Sequence, residues 1–125
     1  MLLPPSREKT ELLEVVRISD PAGALGSERL VGDDVAIWDG EDARRAMDLV
    51  DALPDGVKHR CFTPGWGLRA HSRTELLFEV AFCFRCHGAR IWADGLPVER
   101  QFQDFDAESG VALELVRLFR GCGSS

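Results

Sequence analysis

Trp66-Gly67-Leu68-Arg69-Ala70-His71, then Ser72-Arg73-Thr74, then Glu75-Leu76-Leu77-Phe78-Glu79-Val80-Ala81-Phe82-Cys83-Phe84: the reading of this stretch decides the fold. In the first arm Trp66, Leu68 and Ala70 alternate with Gly67, Arg69 and His71. In the second, Leu76, Phe78, Val80, Phe82 and Phe84 alternate with Leu77, Glu79, Ala81 and Cys83. Side chains on a strand point to opposite faces with period two, so each arm carries one strongly apolar face. Two such arms around a short polar turn predict an antiparallel hairpin. An apolar face this large must be covered, and helices are the expected cover.

The rest of the chain supplies that cover. Leu12-Leu13-Glu14-Val15-Val16-Arg17-Ile18 is rich in β-branched residues and runs into Asp20-Pro21, so it predicts a strand that stops at a turn. Val35-Ala36-Ile37-Trp38 predicts a second strand, and Ala89-Arg90-Ile91-Trp92 another after a turn at His87-Gly88. Asp39 is placed to cap a helix with Glu41 and Asp42 in its first turn. That helix's stripe is Ala43, Ala46, Met47, Val50 and Leu53, and Pro54-Asp55-Gly56 ends it. A second helix is expected from Ala107 to Arg120, capped by Asp106, with Ala112, Leu115, Val116 and Phe119 as its stripe and Gly121 as its stop. The fold class is α+β: a small antiparallel sheet covered on one face by two helices. Residues 1–10 are expected as a loose N-terminal tail, 11–121 as a single domain and 122–125 as a flexible end.

Composition narrows the function. With 125 residues, 45% hydrophobic and 29% charged, the chain falls in the ordinary globular class and outside the disordered and collagen-like ones. The net charge of −6 argues against nucleic-acid binding, which calls for a basic footprint. No run approaches the roughly 20 apolar residues of a membrane span, so no membrane partner is expected. The opening Met1-Leu2-Leu3-Pro4-Pro5 lacks the apolar core of a signal peptide, and the expected compartment is the cytoplasm. Charge is unevenly spread. Residues 28–55 are strongly acidic and 57–93 basic, which predicts attraction between the two segments across the surface.

The four cysteines are Cys61, Cys83, Cys86 and Cys122. If Trp66 pairs with Phe78 or Val80, Cys61 falls opposite Cys83 or one step along from it, on the face away from the aromatic residues and nearer solvent or a partner, where Cys86→Ser is expected to cost much less than Phe82→Ala if no metal is bound. His59 shares the face of Cys61, and Cys86 and His87 follow the second arm. His59, Cys61, Cys83, Cys86 and His87 then converge on one spot. A bend at Pro64-Gly65 is the feature that would shift this register. Cys122, past the helix stop, is expected to take no part.

Four chemistries compete for the cluster. Free cysteines pack as small hydrophobes, and a reducing compartment makes permanent disulfides the exception. Zinc is the second: Cys61, Cys83 and Cys86 with His59 or His87 offer four N/S ligands, and Cys-x-x-Cys at a strand end is a recurrent half-site. Third is thiol redox chemistry at Cys83 and Cys86, with Arg85 and His87 to stabilise a thiolate. Fourth is c-type haem, since Cys83-Phe84-Arg85-Cys86-His87 matches C-x-x-C-H. Elsewhere, Asp33-Asp34 and Glu41-Asp42 read as solvated or capping acids, and no Ser–His–Asp setting or phosphate loop is present.

Residues 61–92 resemble a group of small bacterial proteins of uncharacterised activity. The resemblance rests on Cys61-Phe62-Thr63-Pro64-Gly65-Trp66-Gly67-Leu68-Arg69 and Phe82-Cys83-Phe84-Arg85-Cys86-His87, a Cys, a Pro-x-Trp-Gly strand and a Cys-Phe-x-Cys strand. It implies that the cysteine hairpin is the centre of the group, and it brings no activity or ligand. The expected function is therefore a non-catalytic interaction or accessory module that meets a protein partner. Its cysteine hairpin is structural and can take zinc. The alternative is a thiol–disulfide redox protein or sensor.

Overall fold

The computed structural model describes residues 1–25, 27–57 and 61–122. Six strands form one antiparallel sheet: β1 Leu12–Arg17, β2 Asp33–Asp39, β3 Trp66–His71, β4 Leu76–Cys83, β5 Gly88–Trp92 and β6 Phe102–Asp104. Their order across the sheet is β2-β1-β3-β4-β5-β6. The helices are α1 Gly40–Asp51, α2 Val98–Gln101 and α3 Gly110–Cys122, with short 3-10 turns at Pro5–Lys9 and Pro21–Leu25. The chain is thus α+β, and among the described residues no helix is long and apolar enough to cross a membrane.

One face of the sheet carries Leu13, Val15, Leu68, Ala70, Phe78, Val80, Phe82, Ala89 and Ile91. They pack with Ala43, Ala46, Met47 and Val50 of α1 and Ala112, Leu115 and Phe119 of α3. The strand period of two and the helical stripes meet there as the sequence predicts. Phe119 is the hub. Its ring lies 5.5 Å from Trp66, 5.6 Å from Trp38 and 5.6 Å from Phe82, centroid to centroid. The opposite face buries a smaller cluster of Val16, Ile18, Leu30 and Ala81, with Phe62 and Trp92 at its edge. Gly67 admits Leu30 to that face, since a β-carbon there would stand 2.8 Å from both Leu30 methyls.

Several local expectations are corrected. Residues 1–10 do not hang loose: Met1 and Leu3 pack on the main core, and Leu2 exchanges two hydrogen bonds of 2.8 Å with the Gln103 side chain. Asp39 stands at the head of α1 without a side-chain capping bond. The last helix begins at Gly110, three residues after the predicted start. Ser109 supplies its cap, accepting from the Ala112 amide at 3.2 Å, while Asp106 closes the preceding turn through the Glu108 amide at 2.9 Å. The helix runs through Gly121 to Cys122, and residues 123–125 lie outside the described residues. β6 and α2 have no apolar periodicity to announce them, being only three and four residues long.

Candidate functional site: the cysteine end of the sheet

The β3–β4 hairpin keeps the predicted parity and moves the register. Trp66 pairs with Phe82, Leu68 with Val80 and Ala70 with Phe78. The cause lies at the turn. Ser72 Oγ accepts from the Thr74 and Glu75 amides, the Ser72 amide donates to the Glu75 carbonyl, and a bulge falls between Ala70 and His71. The widened turn absorbs residues that a tight hairpin would have paired. Pro64-Gly65 disturbs nothing: the Gly65 amide donates to Phe82 O at 3.2 Å and its carbonyl accepts from Ile18 at 3.0 Å.

The shift carries Cys61 past Cys83 to Cys86. Cys61 and Cys86 form a disulfide, with Cα atoms 5.7 Å apart. This corrects the pairing expected from the hairpin alone and the expectation of an all-reduced cluster. Cys83 is a buried free thiol beside the bridge. The Cys86 amide donates to Cys83 Sγ at 3.2 Å. Thr63 Oγ1 lies 3.7 Å from Cys83 Sγ and 3.8 Å from Cys86 Sγ, so one hydroxyl touches both sulfurs. Cys83 does lie off the helix-covered face, but it is 1% exposed and Cys86 2%, so the cysteines are not the open surface expected there. Cys61 alone of the three is exposed.

The predicted ligand set is only partly assembled. With Cys61 and Cys86 bonded to each other, their sulfurs are not available as thiolates, and among the described residues no group of three or more His, Cys, Asp or Glu could hold a metal ion. His59 lies outside the described residues. His87 adopts a left-handed backbone, φ 53°, that ends the turn after Cys83, and its Nδ1 accepts from the Ala107 amide at 3.0 Å. That bond ties the turn to the approach of α3 and commits one imidazole nitrogen. Cys122 stands apart from this cluster. Its thiol donates to Leu118 O at 3.4 Å within α3, and burial pushes the thiol up, with a hydrogen bond to Trp38 opposing.

The same sheet face holds a charged network that alternation alone did not single out. Arg69 Nε donates to Glu79 Oε2 at 3.0 Å, directly across the β3–β4 ladder, and Glu79 is buried. Arg69 also pairs with Asp34 and donates to Leu30 O at 3.0 Å, and His71 contacts Glu14. The Arg69–Asp34 pair joins the basic and acidic segments as their charges predict. Opposite charges at facing hairpin positions were the available signal, but it depends on the register that the turn moved. No family model matches the chain, and no curated protein or solved structure does either.

Proposed function

We propose that this is a thiol–disulfide redox protein whose working bond is Cys61–Cys86. The observation that carries the reading is the asymmetry of the three sulfurs: the exposed Cys61 half of the bond can be reached by a partner thiol, while a free thiol, Cys83, is held against the buried half. A clip that only fastens a loop has no use for that third sulfur. In the cytoplasm, the compartment we propose, a persistent disulfide is the exception and a cycling one the rule. Reduction takes two electrons and two protons and yields two thiols; the partner dithiol that supplies them leaves as a disulfide. Titration of the native chain in glutathione buffers, read by alkylation and mass, tests this. The expected result is a two-electron transition above about −300 mV, the region where structural disulfides no longer fall. A bond still closed at more reducing poise would defeat the reading.

A second reading, an interaction module with a structural cysteine clip, has its own support. A groove of about 460 Å³ on the same side of the molecule is lined by Leu76, Leu77, Glu79, Arg90 and Trp92 among others. A protein partner is the occupant we propose for that groove if the bond proves irreducible, and zinc would then require the bond to be opened first.

A further inference from the structure

We infer that Cys83 is an internal exchange thiol, which moves the disulfide from Cys61–Cys86 to Cys83–Cys86 and turns Cys61 into a surface thiol open to modification by soft electrophiles and partner disulfides. The inference rests on the redox reading of this cluster, but exchange itself requires no net electron transfer.

The step balances within the chain. Cys83 gives up its proton and its sulfur attacks Cys86 Sγ. The Cys83–Cys86 bond forms as the Cys61–Cys86 bond breaks. Cys61 leaves with the electron pair and takes a proton from water in place of the one released. The geometry favours each part of it. The two sulfurs share the Thr63 hydroxyl, and the Cys86 amide already donates to Cys83 Sγ, which holds the attacking sulfur beside the residue it attacks. Cys83 and Cys86 flank one turn, closed by the left-handed His87. The leaving sulfur belongs to the exposed residue, so its charge is hydrated as it departs. Cys83, 1% exposed, is shielded from any reagent of useful size, so its chemistry can reach solvent only through Cys61.

The test is N-ethylmaleimide labelling of the oxidised chain without reductant, followed by digestion and mass mapping. Wild type is expected to take label at Cys61 and at Cys122, and a Cys83–Cys86 cross-link should accumulate with the Cys61 label. In Cys83→Ser, labelling at Cys61 should fall at least about tenfold, because a hydroxyl cannot exchange, while labelling at Cys122 stays as it was. Label on Cys83 with Cys61–Cys86 intact, or on Cys122 alone, in wild type overturns the inference. The wild-type map decides even if the variant does not fold. Failure of the redox reading shows elsewhere, as an irreducible bond in the glutathione titration.

Discussion

Strand β4 passes between two environments one residue apart. Phe82 points into a ring formed by Phe84, Phe105 and Phe119, all within 6.4 Å centroid to centroid. Its neighbours Ala81 and Cys83 point the other way, toward Leu30, Thr63 and the disulfide. The helix-covered face is held by non-directional apolar area, which tolerates small shifts of register so long as parity is kept. The opposite face adds to its smaller apolar cluster a set of contacts that each require a particular atom at a particular place, among them the S–S bond, the Arg69–Glu79 pair and a shared hydroxyl. The exchange we propose sits on the second kind of surface, because only there would a moved bond change which atom is exposed.

The largest expected effect lies on the covered face. Phe82→Ala removes a fully buried ring from the contact with Phe119 and Phe105, and should cost about 3–5 kcal/mol in a denaturant melt. A loss under about 1 kcal/mol would mean that the apolar face is not the principal source of stability, and the comparison would collapse.

Next comes the disulfide. Cys61→Ser opens the bridge at its exposed end and buries no new polar group. The bridge spans a sequence separation of 25, so its loss should cost about 3 kcal/mol through the freer unfolded chain. The sequence alone suggested that Cys86→Ser would be mild on an open face. Because Cys86 is buried and bonded, it should be at least as damaging as Cys61→Ser. Parallel melts with and without a reducing agent check both, since reduced wild type should match the Cys61 variant. If reduction leaves the wild-type midpoint unchanged, the bridge contributes nothing and the two faces differ less than argued.

How much of this was legible beforehand follows the same division. The stripe Ala43, Ala46, Met47, Val50 and Leu53 is buried throughout, and Phe78, Val80 and Phe82 meet it as alternation predicts, because periodicity records which side of an element is apolar. The partner of Cys61 was not legible. It depends on how many residues the Ser72–Glu75 turn consumes, and side-chain hydrogen bonds of Ser72 decide that. Arg69 and Glu79 were visible as charges, but not as each other's partners, for the same reason. Parity survives a two-residue shift, whereas the identity of a cross-strand neighbour does not.

The charged network should come third. Arg69→Met leaves Glu79 buried without its cation and should cost about 2 kcal/mol, less than a fully dry pair because Asp34, on the same guanidinium, is exposed to solvent. Glu79→Leu in the same chain should restore most of the loss, since the double change replaces both charges with apolar volume. A double mutant no better than Arg69→Met would show that Arg69 acts through Asp34 and Leu30 and not through Glu79.

The smallest effect concerns Cys122, the free thiol on the helix-covered side. Burial raises its pKa above the ordinary thiol value, and the Trp38 hydrogen bond offsets only part of that. A raised pKa means less thiolate at neutral pH in the folded chain than in the unfolded one, and the thiolate is the species that reacts. Maleimide should therefore modify Cys122 more slowly in native protein than in urea, and the gap should narrow as pH rises toward the folded value. The linkage has the matching sign: this thiol's contribution to stability is complete below its unfolded pKa and is lost as pH climbs through the raised one. The comparison needs only a rate profile for one labelled peptide. Equal rates in native and unfolded chains at pH 7 would show the end of α3 to be open, and would remove Cys122 from the packed side of the molecule.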